Sequence, residues 1–106
     1  MPKYKESILQ KDYSACYLCG KSGWLECHHI FGKYQRNLSS EQGFTVFLCH
    51  DCHNERPNGV HFNREVDRRL KAECQRKYLE THTMDEWMSL VGRNYIETET
   101  LTEVKI

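Results

Sequence analysis

Two Cys-x2-Cys pairs, Cys16/Cys19 and Cys49/Cys52, stand about thirty residues apart and constrain this chain more than any other feature. Each short knuckle can offer two sulfurs to one ion, so the spacing predicts a tetrahedral four-thiolate zinc site. The chain has 106 residues, one domain's worth and too few for a deep hydrophobic core without help. A metal staple supplies that help. The competing reading, two disulfides in a secreted scaffold, fits less well. The segment Met1-Pro2-Lys3-Tyr4-Lys5-Glu6 lacks the apolar run of a signal peptide, and histidines crowd the knuckles. These features predict a cytosolic (cytoplasmic) protein with reduced cysteines, and no stretch is long and apolar enough to cross a membrane.

The histidines are surplus to such a site. Between the knuckles lies Glu26-Cys27-His28-His29, followed by Ile30-Phe31-Gly32; His53 directly follows the second knuckle, and His61 comes later. Four sulfurs already close a structural site, so His28, His29, His53 and His61 can build a second, open metal centre. The bland alternatives are ordinary surface or core histidines and, for His53, replacement of a cysteine at the zinc. His50 and His82 read as solvent-facing, and Cys27 and Cys74, without partners by spacing, read as buried small hydrophobes.

The fold class expected is α+β: a zinc-stapled hairpin, a crossing helix and C-terminal helices. Residues 1–14 read as a tail or docking segment, residues 15–82 as the core domain, and residues 83–106 as an extension with an acidic tail packed on it. Trp24 to Ile30 and Phe44 to Leu48 have the aromatic and β-branched content of strands, and Phe31 to Gly43 reads as a long functional loop. Pro57-Asn58-Gly59 is the strongest breaker. From the N-cap Asn63 a helix should run to about Glu80, with Phe62, Val66, Leu70, Cys74 and Tyr78 on its apolar face. Thr83-Met84-Asp85-Glu86 is a capping box for a last helix that buries Trp87, Leu90 and Val91 before Gly92. Glu97 to Ile106 reads as frayed or a late strand.

Formal charge is zero with histidine neutral, so composition does not announce a nucleic-acid binder. The charge is uneven: Arg56 to Lys77 holds seven Lys/Arg against three Asp/Glu, and Tyr78 to the end holds two against six. Lys33 and Arg36 on the loop, Arg56 after the knuckle, and Arg64, Arg68 and Arg69 on the helix could straddle a phosphate backbone. The bland reading of the helix cations is a solvated face, offset by Glu65, Asp67 and Glu73.

The ordered set Cys16-x2-Cys19, Cys27-His28-His29-Ile30 and Leu48-Cys49-x2-Cys52-His53 resembles the HNH endonucleases. The form it is similar to is the ββα-metal (treble-clef-like) fold pinned by a four-cysteine zinc, as in small phage and prophage HNH proteins. The likeness covers about Cys16 to Phe62. It implies a metal-dependent nuclease that nicks or cuts DNA. His29 would be the general base, and His28, His53 and, at the place where some relatives add an imidazole, His61 would hold a catalytic divalent ion. It also implies partners in phage packaging or recombination. The family's middle asparagine would stand five residues before Cys49, where this chain has Phe44, so either another group steadies the base, the reading taken here, or catalysis is weakened.

The chemistry suits the residues. Phosphodiester cleavage needs an activated water and neutralised phosphoryl charge; a histidine near its neutral point serves the first and a divalent ion with open positions the second. Mixed imidazole and oxygen ligation admits Mg, Mn, Ni or Zn. Strand alternation would put His28 and His29 on opposite faces, so the strand must bend or end there. The rival reading is a non-catalytic zinc module that binds nucleic acid or a protein partner, favoured by the zero charge and Phe44 and opposed by the histidine cluster.

Overall fold

The computed structural model describes residues 6–55, 57 and 59–96, and among these residues short polar and glycine-bounded segments leave two strands, which pair. Strand β1, Glu26–His29, runs antiparallel to β2, Thr45–Leu48, with Glu26 opposite Leu48, Cys27 opposite Phe47, His28 opposite Val46 and His29 opposite Thr45. The first strand is shorter than Trp24 to Ile30: Trp24 is 83% exposed, and beyond His29 the pairing survives only as Ile30 N–H donating to the Phe44 carbonyl at 2.9 Å. Alternation along β1 turns His28 inward with Val46. It therefore turns Cys27 outward, and that thiol is exposed rather than a core hydrophobe. Cys74 is fully buried.

The segment expected as an irregular loop is largely helical. A 3-10 turn, Lys33–Gln35, leads into helix α1, Arg36–Gln42. Its composition is too polar to show a helical apolar stripe, and what fixes it is a long-range bond. Ser39, fully buried, donates its hydroxyl to the Phe31 carbonyl at 2.7 Å and accepts from the Phe31 N–H at 3.0 Å. Gly43 ends the helix at φ +78, and a Cβ there would collide with the Glu6 carbonyl oxygen.

Residues 6–14 cover the outer edge of β2. Ile8 N–H donates to the Gly43 carbonyl at 3.0 Å, the Ser7 hydroxyl donates to the Thr45 carbonyl, and Phe47 N–H donates to Gln10 Oε1 at 2.7 Å. Side chains thus satisfy the donors and acceptors that an edge strand would otherwise expose.

Helix α2, His50–Asn54, starts at Cys49, and after the 3-10 turn Val60–Phe62 comes α3, Arg64–Tyr78. Asn63 caps α3, accepting from Val66 N–H at 3.1 Å. Leu70, Ala72, Cys74, Gln75 and Tyr78 are buried along α3, whereas Phe62 is 48% exposed because the turn, not the helix, sets its direction. Helix α4, Met84–Leu90, begins with the Thr83/Glu86 capping box and is followed by Gly92 at φ +86. Trp87 at its centre is fully buried, with Leu90 and Val91 partly so. Phe31, Phe44, Tyr78 and Trp87 meet with ring centroids 5.6 to 5.9 Å apart, so β2, α3 and α4 share one aromatic core.

Among the expectations, Arg56 and Asn58, the first five residues and the acidic segment Glu97 to Ile106 lie outside the described residues. No helix among the described residues is long and apolar enough to cross a membrane.

Candidate metal centre

Two clusters of ligating side chains arise from this arrangement, and both use α2. In the first knuckle, Cys16 N–H donates to the Lys21 carbonyl and Gly20 N–H to the Cys16 carbonyl, both at 2.9 Å, with Gly20 at φ +81. The second knuckle sits where β2 gives way to α2, with Cys49 at the helix start. The Sγ atoms of Cys16, Cys19, Cys49 and Cys52 all lie within 4.8 Å of one another, and Cys19 Sγ is 3.7 Å from Cys49 Sγ. A tetrahedron with metal–sulfur bonds of about 2.3 Å requires sulfurs about 3.8 Å apart, so this donor set could hold a metal ion. Burial pushes the Cys16 thiol up, but backbone amides of Cys49, Cys19 and Leu18 outweigh it and bring the group down to about 7, while burial and the neighbouring sulfurs push the Cys52 thiol up, so thiolate is favoured at Cys16.

The second cluster joins His28 of β1, His53 of α2 and His61 of the 3-10 turn, with their ligating nitrogens within 4.8 Å of one another. His61 Nε2 and His53 Nε2 are 3.1 Å apart, between the ~3.0 Å that ligands at right angles and the ~3.4 Å that tetrahedral ligands subtend at metal–nitrogen bonds of about 2.1 Å. His28 is 4% exposed, and its buried Nε2 has no hydrogen-bond partner. A stranded buried acceptor is costly, and a cation between the rings would satisfy it. Burial, then the neighbouring His53 and His61, hold His28 down to about 3, so it is a neutral lone-pair donor at working pH. Burial grades outward from His28 through His53 to exposed His61, leaving one side of the cluster open.

Behind His53 stands a carboxylate. Glu26 Oε1 accepts from His53 Nδ1 at 2.7 Å, which leaves Nε2 as the ligating nitrogen, and the Asn54 amide donates to the same oxygen at 3.0 Å. Glu26 Oε2 accepts from His50 Nδ1 at 3.1 Å, and Glu55 accepts from His50 Nε2 at 2.7 Å. His50 is therefore raised by Glu26 first and Glu55 second, and Glu26 is lowered by His53 and His50.

His29 stands apart from the triad but in the same cleft. An opening of about 500 Å³ is lined by His28, His29, His53 and His61 together with Lys33 and Arg36. His29 Nε2 lies 2.9 Å from the Ser40 hydroxyl of α1, and burial, then Arg36, lowers its proton affinity. Phe44 is wholly buried in the aromatic core, and Ser40 is a side chain that meets His29. No protein-family model matches this sequence, nor does any curated protein or solved structure.

The cations divide. Lys33 and Arg36 reach the cleft, and Arg64 lines an adjoining depression with Lys33 and His61. Arg68 and Arg69 are exposed on α3 outside both, because the helix turns Asp67 and Lys71 toward the opening instead. Lys71 is joined to Asp67 at 2.9 Å. Lys33 holds φ +54, a left-handed conformation that costs a non-glycine residue about 1–2 kcal/mol. Sequence reasoning assigned no role to Glu26, Ser40, Asp67 or Lys71. Only Glu26 carried a signal: a strand places it on the same face as His28, two residues on.

Proposed function

We propose that this protein is a metal-dependent phosphodiester hydrolase of the HNH type acting on DNA, built as a ββα-metal unit stapled by zinc at Cys16, Cys19, Cys49 and Cys52. The observation that carries the reading is the convergence of His28, His53 and His61 around a stranded buried nitrogen, with a fourth histidine, held by Ser40, in the same cleft. A divalent ion held by the three imidazoles would neutralise charge on the phosphoryl group and on the departing oxygen.

The chain's own groups do the rest. His29, kept neutral by burial, accepts a proton from water as the oxygen attacks phosphorus; the bond to the departing sugar oxygen breaks, and that oxygen takes a proton from solvent. Ser40 orients the ring of His29, the task that falls to an asparagine in the proteins this sequence resembles. Glu26 fixes the tautomer and direction of His53. Lys33 and Arg36 hold the phosphate backbone at the mouth.

The rival, a non-catalytic zinc module, draws on the zero formal charge. Incubating supercoiled plasmid with the protein and Mn or Mg, beside a His29→Ala variant, separates the two. Nicking by the parent that the variant loses supports hydrolysis, nicking at full rate in the variant removes His29 from its role, and no cleavage of plasmid or of single-stranded DNA with any ion favours the module.

A further inference from the structure

One surface feature of the cleft is not used by hydrolysis itself. Tyr34 is 91% exposed, although it lines the same opening as the four histidines. The turn that presents it is braced: Gln35 N–H donates to the Gly32 carbonyl at 2.9 Å, Gln35 Nε2 donates to the Val91 carbonyl at 3.1 Å, and Lys33 sits in its strained left-handed conformation. A backbone outlier held in place beside a cleft is where functional constraint is to be sought. Phe62 is 48% exposed and borders the depression that shares Lys33 and His61 with the cleft.

An aromatic ring at a phosphate-binding opening gains from a base only when that base's face is free. In a duplex the faces are occupied by stacking, whereas in a single strand each base can be laid on a ring. Fifteen basic and fifteen acidic residues leave little long-range attraction for any polynucleotide, so affinity must come from contacts at the cleft, where stacking is open to a single strand.

Resting on the hydrolase reading above, we propose that the substrate is a single-stranded polynucleotide, with one base stacked on Tyr34, the backbone carried across Lys33 and Arg36, and the strand leaving past Phe62.

The test is fluorescence anisotropy with zinc-loaded protein in the absence of added divalent ions, using labelled oligo(dT), oligo(rU) of equal length and a duplex. Tyr34→Ala should weaken oligo(dT) binding by about five- to 150-fold, one base's worth of stacking, while Tyr34→Phe stays within about twofold. Duplex binding should be weaker than oligo(dT) binding and unmoved by either change. Unchanged oligo(dT) affinity in Tyr34→Ala, an equal loss in Tyr34→Phe, or a duplex that binds as tightly as the single strand overturns the proposal. Oligo(rU) sorts the sugar: Tyr34-dependent binding of both strands supports it as stated, and of oligo(rU) alone overturns DNA as the substrate. Because the readout is binding, Tyr34-dependent capture without cleavage of the same oligo(dT) in added Mn or Mg would sink hydrolysis and keep the platform. Cleavage with Tyr34-independent capture would do the reverse.

Discussion

The sulfur and imidazole clusters share one five-residue helix yet are built to opposite ends. The four cysteines come from two knuckles whose backbone amides are aimed at sulfur, and their 3.7 Å approach leaves no room for a substrate. The three histidines come from a strand, a helix and a turn, and burial falls from 4% exposure at His28 to an open edge at His61. Four sulfurs fill a tetrahedral ion's coordination by themselves even though Cys19 is exposed, whereas three imidazoles leave a position at which a second molecule can meet the ion. The difference lies in second partners too. The histidine set leans on a carboxylate, Glu26, which tunes and orients rather than cross-links.

The largest effect should follow from opening the sulfur cluster. With zinc at the sulfurs, as proposed, Cys49→Ser should abolish zinc binding and, since structural zinc is worth on the order of 10 kcal/mol in small domains, the fold with it. Zinc content and a thermal melt would show this, and a folded, zinc-loaded variant would break the comparison. Next, His29→Ala should lower nicking about a hundred- to ten-thousand-fold while the zinc content and melt stay as they were. A smaller change is expected from Glu26→Gln: the affinity of the imidazole cluster for Mn should fall about ten- to a hundred-fold in calorimetric titration, with stability little altered. If Mn affinity is untouched, Glu26 is only a surface partner of His50. The smallest effect tests the sulfur side again. Tyr17 donates its hydroxyl to Glu73 of α3 at 2.8 Å, and burial together with Glu73 keeps that hydroxyl protonated. Tyr17→Phe should cost about 1 kcal/mol in urea unfolding and leave Mn affinity alone.

Much of this was legible in the residues because it is local. Knuckle spacing, the Asn63 cap and the Thr83/Glu86 box are each written within a few positions, and the structure has them where the sequence put them. What was missed depends on partners far along the chain. Helix α1 carries no apolar stripe and is held by Ser39 to Phe31, so periodicity could not reveal it. Ser40 meets His29 only because α1 exists. Gln75, on the helix face read as apolar, is wholly buried because Asn94, Tyr95 and Ile96 supply its hydrogen bonds from about twenty residues away. Cys27 was within reach: once His28 faces inward, strand alternation sends its neighbour out.

Cys52 and His53 are consecutive, and their side chains serve different clusters from a helix of five residues. Each helical residue advances the direction by about 100°, so a single insertion or deletion between them would swing one ligand away whichever way the chain adjusted. The spacing from Cys49 to His53 is therefore fixed by two clusters at once.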